Sequence, residues 1–250
     1  AISAVIAVLI IGIQFLKSDF SNRSKLELIS FVQNSSSGDT ATEDTKLILS
    51  ENKVVSITDE EAIITYDASA IKAQDSNIDR EDVASYNQLI TPRGKRSVLT
   101  LSDGTKIWAN AGTRIVYPSE FKDGIRQIYV DGEIYIDVAH DKTKPFYVRT
   151  KKMDVRVLGT KFNVTAYESE DKNSVVLVSG SVRIEREKAS EVVLVPNQMF
   201  SQSSGAMDGE VETVDVSKYT SWIKGLYAFE SEDLDIVFKR LSNYYGVDIQ

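Results

Sequence analysis

Cysteine is absent from the 250 residues, and histidine occurs once, at His140. Without a thiol the chain has no disulfide, thiolate metal site, iron–sulfur cluster or cysteine nucleophile, and no bacterial lipid anchor on cysteine. A single histidine leaves zinc without an ordinary ligand set, so neither a metal nor another cofactor is expected. Proline (4) and glycine (13) are too scarce for collagen-like or low-complexity architecture. Basic residues are outnumbered, 29 Lys+Arg against 37 Asp+Glu; the formal net charge of −8 argues against nucleic acid as a partner, because phosphates need a basic face. Phosphate-binding glycine loops, dinucleotide fingerprints and EF-hand loops do not occur.

What is present is enough apolar residue, 42%, to build a core. The first stretch, AISAVIAVLIIGIQFL, has only Ser3 and Gln14 as polar residues and carries no charge. It is shorter than the roughly 20 apolar residues of a full span. No small-residue cleavage pattern follows Leu16, and the stretch is apolar on every face. A transmembrane helix over residues 1–17, with its first turn preceding Ala1, is the expectation. Lys17, Arg23 and Lys25 follow it and mildly favour a cytoplasmic C-terminal flank.

Residues 18–45 read as a stalk. Phe20 to Val32 extends the helix or forms a second amphipathic piece with Leu26, Ile29 and Phe31 as apolar points; Asn34 to Thr45 reads as a flexible linker. From Lys46 the period changes to two. Leu47–Ile57 (LILSENKVVSI) matches Leu99–Ala109 (LTLSDGTKIWA) at an offset of 52 residues, a weak internal repeat of a β-hairpin. The second copy holds Asp103-Gly104 between alternating apolar runs, a strong hairpin signal. Downstream, Ile63-Ile64-Thr65-Tyr66 matches Arg114-Ile115-Val116-Tyr117 loosely. Ile71 to Ser85 reads as loop. Ile128, Val130, Ile134, Ile136 and Val138 share one strand face, with a bend near Gly132. Further strands are expected at Phe146–Val148, Met153–Leu158, Lys161–Tyr167, Val175–Val178, Val182–Arg186 and Glu191–Val195. The fold class is mainly β, with tandem hairpins forming a β-roll, a sandwich or a short solenoid over residues 46–200.

Residues 201–218 read as a connector, Ser/Gly-rich at its start. Residues 219–250 read as a partial βαβ module: a strand from Trp222 to Phe229, a helix capped by Ser231 with Glu232 and Asp233 in its first turn, and a strand at Val247–Ile249. Leu234, Val237, Phe238, Leu241 and Tyr245 carry the helical spacing, and Gly246 suits its stop.

Chemistry is sparse. Asp131, Glu133 and Asp137 project from one strand face and Asp141 follows; carboxylates held about 5 Å apart can cleave glycosides, and Asp131 with Glu133 is the candidate pair. A solvated outer face is the favoured reading. His140, in Ala139-His140-Asp141-Lys142, reads as a turn residue rather than a triad member.

Six pieces recur in order: Thr91-Pro92-Arg93-Gly94, Leu101-Ser102-Asp103-Gly104-Thr105, Val130-Asp131-Gly132-Glu133, Asp137-Val138-Ala139-His140, Lys144-Pro145-Phe146 and Val157-Leu158-Gly159-Thr160-Lys161-Phe162-Asn163-Val164. Together they resemble the periplasmic domain of the FecR family, transmembrane regulators (anti-sigma factors) of extracytoplasmic-function sigma factors, in the branch common in Bacteroidetes. Trp222-Ile223-Lys224-Gly225, Phe229 and the following helix resemble the family's C-terminal region, itself similar to the short N-terminal signalling domain of secretins and TonB-dependent receptors. The resemblance implies a single-pass inner-membrane protein anchored by residues 1–17, with residues 18–250 in the periplasm. It implies two partners: the signalling domain of a TonB-dependent outer-membrane receptor, and a sigma factor held by a cytoplasmic region lying before Ala1. It implies no enzymatic activity. Trp222, Leu226, Tyr227 and Phe229 are the candidate partner-binding residues, with burial in the core of the C-terminal module as the competing reading. The alternatives are a membrane-tethered periplasmic glycan-binding scaffold, or a glycosidase using Asp131 and Glu133.

Overall fold

The structure, a computed structural model, describes residues 22–35, 42–67, 69–79, 83–122, 124–187, 189–203, 205–206, 208–229 and 234–249. The expected membrane segment, residues 1–17, and the helix cap at Ser231, Glu232 and Asp233 lie outside the described residues. Among the described residues no helix is long and apolar enough to cross a membrane.

The chain is mainly β, as its period of two predicts, and its strands form two sheets joined by one long strand. The first sheet runs in the order β2 (Lys53–Ile57), β1 (Thr45–Ser50), β6 (Tyr86–Thr91), β9 (Thr113–Pro118), β10 (Arg126–Asp137), β11 (Phe146–Arg149), β12 (Asp154–Val157), β15 (Val182–Glu185), β16 (Val192–Leu194). The second runs β5 (Ser76–Asp79), β4 (Ala70–Ala73), β3 (Glu61–Tyr66), β7 (Arg96–Thr100), β8 (Lys106–Ala109), β10, β13 (Lys161–Ala166), β14 (Lys172–Ser179), β17 (Gln198–Ser203), β18 (Glu210–Thr213). β10 belongs to both. Arg126 to Asp131 pair with β11 and β9; Gly132 to Asp137 pair with β13 and β8. The two sheets thereby make one curled surface around a single core, which includes Leu47, Ile64, Leu99, Val130, Ile136, Phe162 and Phe200.

Among the described residues only β3–β7 and β10–β11 pair in parallel. That corrects the solenoid option, in which successive repeats stack in register. The two matched hairpins are both present, β1–β2 and β7–β8, but they sit in different sheets. Their loosely matched tyrosines do meet: Tyr66 and Tyr117 are buried with hydroxyls 3.1 Å apart and rings edge to face at 5.5 Å. Asn87 Nδ2 donates to the Tyr66 hydroxyl at 2.8 Å, which keeps this interior polar pair satisfied.

Four local expectations change. Ile71 to Ser85 contains the β4–β5 hairpin; its signal was the alternation of Ile71, Ala73 and Ile78, all buried. The expected connector carries strand on both sides, since β17 runs to Ser203 and pairs with β18. Trp222 to Phe229 is not a strand. Residues Val216–Thr220 form α2, Ser221–Lys224 continue as a 3-10 turn, and Gly225 in the left-handed region stops it. Val247–Ile249 is not a strand either. It folds back on the helix α3 (Leu234–Tyr245), with the Val247 amide donating to the Ser242 carbonyl at 3.1 Å. The βαβ module is therefore corrected to a turn, an irregular segment and one helix. The physical cause is that both would-be strands spend their polar groups on the β body and on α3 rather than on each other.

Within the expected stalk, residues 22–34 form a helix, α1, lying on the outer face of the first sheet. Leu28 rather than Leu26 is its anchor: Leu28 is fully buried against Val116 and Tyr129, with Ile29, Phe31 and Val32 beside it, whereas Leu26 faces solvent. Polar contacts fix its course: Gln127 Nε2 donates to Ser24 Oγ at 2.8 Å, Lys25 Nζ to Asp154 Oδ2 at 2.7 Å, and Arg114 Nη2 to Ser35 Oγ at 2.7 Å. Leu28→Ala is expected to weaken this docking by about 2–4 kcal/mol. Hydrogen exchange checks it: residues 22–34 lose protection while the strands keep theirs.

Candidate functional site

A buried arginine accounts for three of the six sequence pieces. Arg126, at the start of β10, donates through Nη1 to Asp103 Oδ2 (2.8 Å) and the Ala139 carbonyl (2.7 Å), and through Nε to the Lys144 carbonyl (3.0 Å). Its guanidinium lies 5.4 Å from the Phe146 ring centre. Asp103 also accepts from the Thr105 amide (3.0 Å) and hydroxyl (2.8 Å), so Asp103-Gly104-Thr105 is both turn and counter-ion. These motif residues build structure.

The acidic face is likewise committed. Asp141 caps its own turn, accepting from the Thr143 hydroxyl and amide at 2.7 Å each, bonds that hold its carboxyl below the ordinary range. Asp137 pairs with Lys161 at 2.8 Å. Asp131 Oδ1 accepts from the Glu168 amide at 2.8 Å, and burial pushes its carboxyl up. His140 is exposed, and its ring and backbone cover Gly159, where a Cβ would lie 2.3 Å from His140 Nδ1.

Glu133 has a different task. Its Oε1 accepts from Asn163 Nδ2 (2.9 Å) and the Thr165 hydroxyl (3.1 Å), and its Oε2 from Asn110 Nδ2 (2.8 Å). A carboxylate only accepts, so it selects the amino side of both asparagines and turns both carbonyl oxygens outward. Those oxygens receive the C-terminal segment. Trp222 Nε1 donates to Asn163 Oδ1 at 3.1 Å, and the Tyr227 hydroxyl donates to Asn110 Oδ1 at 3.1 Å. With three side-chain donors on its two oxygens, Glu133 is engaged in positioning, which removes the main support for a glycosidase.

The predicted partner-binding residues thus separate. Trp222 is 4% exposed and belongs to the interior. Tyr227 is half-buried, stacked with Phe229 and edge-on to Tyr244; burial pushes its hydroxyl up to about 12, so it remains a donor at ordinary pH. Leu226 alone stands out, 63% exposed.

The far end of the segment is held by Thr91-Pro92-Arg93-Gly94. The Gly94 amide donates to the Asn243 carbonyl at 2.8 Å, so the β body closes the last turn of α3. Arg93 Nη2 donates to the carbonyls of Val247 (2.8 Å) and Ser242 (3.3 Å), and Nη1 pairs with Asp248 at 2.8 Å. A cation at a helix C-terminus also meets the negative end of its dipole. Backbone passes backbone closely here: a Cβ on Gly94 would lie 3.2 Å from Gly246 Cα, and both glycines have positive φ. Between the two ends, Arg96 Nη1 donates to the Trp222 carbonyl at 3.3 Å and Lys239 pairs with Glu170 at 3.3 Å. The helix's apolar stripe is split: Val237 and Leu241 are half-buried, whereas Leu234, Phe238 and Tyr245 are exposed.

Sequence reasoning missed Asn110, Asn163, Glu133 and Arg93 as the residues that receive this segment. The one available signal was chemical: a buried tryptophan needs an acceptor for its indole N–H.

Comparisons with known proteins agree with this architecture. The family model described as FecR protein matches residues 87–183. Two crystal structures, each of a candidate anti-sigma factor from Parabacteroides distasonis ATCC 8503, are similar in sequence and fold. The first, at 2.50 Å, is 32% identical with a TM-score of 0.62, covering 64% of this chain and 75% of its own. The second, at 1.65 Å, is 33% identical with a TM-score of 0.61, covering 64% and 74%. No curated protein gives a significant match.

Proposed function

The chain belongs to the FecR family, and on that premise we propose that it regulates a sigma factor rather than catalysing a reaction. In this reading residues 1–17 cross the inner membrane, the β body and C-terminal segment lie in the periplasm, and the sigma factor is held by a cytoplasmic region preceding Ala1. The C-terminal segment senses the signalling domain of a TonB-dependent outer-membrane receptor. The observation that supports sensing by this segment is its inverted docking. It is held by polar groups at its ends, while Leu226, Leu234, Phe238 and Tyr245 face outward as apolar anchors. Exposed apolar residues gathered on one element mark an interaction surface.

The test is titration calorimetry of the full chain in detergent against purified signalling domains of the TonB-dependent receptors in the source genome. One domain is expected to bind with a Kd in the order of micromolar or tighter. Paired Leu234→Asp and Phe238→Asp changes should abolish that binding without unfolding the β body. No binding by any domain to the folded protein would overturn sensing. Unchanged output from every sigma-dependent promoter after deletion of the gene would overturn regulation itself.

A further inference from the structure

We propose that Glu133 is the latch of a releasable arm: residues 222–229 and 234–249 leave the β body together when the Glu133 carboxylate no longer orients Asn110 and Asn163. The reading above identifies what the free arm would meet; the latch itself stands on geometry alone.

The arm buries fewer of its apolar side chains completely than the strands do. Apolar burial is the dominant favourable contribution to packing, and of the arm's large apolar side chains only Trp222 is buried. Tyr227, Phe229, Val237, Leu241 and Tyr244 are half-buried, while Leu226, Leu234 and Tyr245 are mostly exposed. Directional contacts that hold the arm include Trp222 on Asn163, Tyr227 on Asn110, Arg96 on the Trp222 carbonyl, Lys239 on Glu170, and Arg93 with Gly94 on the end of α3. Elements with few buried apolar contacts open at lower free energy than the core around them.

Two of those contacts pass through one carboxylate. Indole N–H can only donate, so Trp222 needs the carbonyl side of Asn163; Asn110 Oδ1 is shared by Tyr227 and the Ala111 amide, both donors. Glu133 takes the amino group of each asparagine; the Ala111 amide supports the same orientation at Asn110, so Asn163 depends on the carboxylate the more. Glutamine at 133 is nearly isosteric but carries one N–H₂ of its own. That group must face one asparagine's amino group, and whichever amide turns over presents a donor to a donor. The charge is lost, the volume is kept, and the arm loses an attachment point. Once free, α3 is a 12-residue helix without its cap from Gly94, too short to persist alone in water.

The test is native-state hydrogen exchange on the full chain without any partner, comparing wild type with Glu133→Gln and with Tyr227→Phe. In Glu133→Gln the amides of residues 234–245 should exchange about tenfold faster or more. Those of β13 and β14, which flank the clasp, should keep their wild-type rates. Tyr227→Phe removes one donor and should shift the arm the same way by less. Unchanged exchange in α3, or equal acceleration in β13 and β14, overturns the latch. Should Glu133→Gln not fold, Tyr227→Phe decides alone: faster exchange confined to 234–245 supports the latch, and unchanged exchange overturns it. Because no receptor domain is present, this outcome is independent of whether the arm senses one. A latch that opens without altering receptor binding would count against sensing, not against the latch.

Discussion

Replacing Arg126 with alanine is expected to remove about 3–5 kcal/mol of stability, a large share of what a domain possesses. The guanidinium is 3% exposed and reaches three acceptors: Asp103 Oδ2, whose other donor is the neutral Thr105 hydroxyl, and the carbonyls of Ala139 and Lys144. Its removal takes the counter-ion from the Asp103 carboxylate, itself only 15% exposed and left with the Thr105 donors, removes a donor from two carbonyls and opens a void beside Phe146. An uncompensated buried charge dominates that sum, which makes the loss larger than a cavity alone would give. Urea denaturation is the measurement, with the midpoint falling and the slope unchanged. The double change Arg126→Met with Asp103→Asn removes both charges and should recover more than half of the loss. A loss below about 1 kcal/mol for Arg126→Ala would mean that water reaches Asp103 freely and that the hub is a surface pair.

That hub also shows what sequence reasoning can reach. Asp103-Gly104 was legible as a hairpin because the turn chemistry is local: Gly104 has φ +84° and Asp103 accepts from the amide two residues on. The alternation from Ile128 to Val138 and the helical spacing from Leu234 to Tyr245 were legible for the same reason. Arg126 was not, since its partners come from two separate connections, β7–β8 and β10–β11. Nor was the anchor of α1. Leu26, Leu28 and Ile29 are equivalent by hydropathy, and only the position of Val116 and Tyr129 on the sheet selects Leu28.

That the C-terminal segment differs from the β body was legible; what its side chains do there was not. Trp222, Leu226, Tyr227 and Phe229 do mark the segment that departs from the β body, yet Trp222 is its buried anchor and Tyr227 is tied down. Glu133 was singled out for its charge. Its function follows instead from two asparagines 53 residues apart, Asn110 and Asn163, which face it from β8's end and from β13. The helical spacing of α3 misled most. An apolar stripe is expected to face the core, but here Arg93, Gly94 and the Lys239–Glu170 pair also set the orientation, and Leu234, Phe238 and Tyr245 are left exposed while Val237 and Leu241 are half-buried.

Gly132→Ala is the second large effect, and it joins the fold to the clasp. β10 changes sheets at this residue, and the change of direction is made with φ +136°, a conformation L side chains rarely adopt. A Cβ there would lie 2.5 Å from Thr113 Oγ1 and 2.6 Å from Thr113 Cα. Thr113 cannot step aside cheaply. Its hydroxyl accepts from the Glu133 amide at 3.0 Å and donates to the Glu133 carbonyl at 3.2 Å. Backbone strain and overpacking together should cost about 2–5 kcal/mol. Gly104→Ala is the control, because Gly104 also has positive φ but a Cβ there meets nothing within 4 Å. It should carry the strain alone, roughly 1–2 kcal/mol. Equal losses for the two variants would show that conformation, not the approach of Thr113, demands glycine at the bend. Gly132→Ala should also reach the arm, since moving Thr113 displaces the Glu133 backbone and with it the carboxylate that orients Asn110 and Asn163. Exchange in residues 234–245 should therefore rise in Gly132→Ala and stay at its wild-type rate in Gly104→Ala.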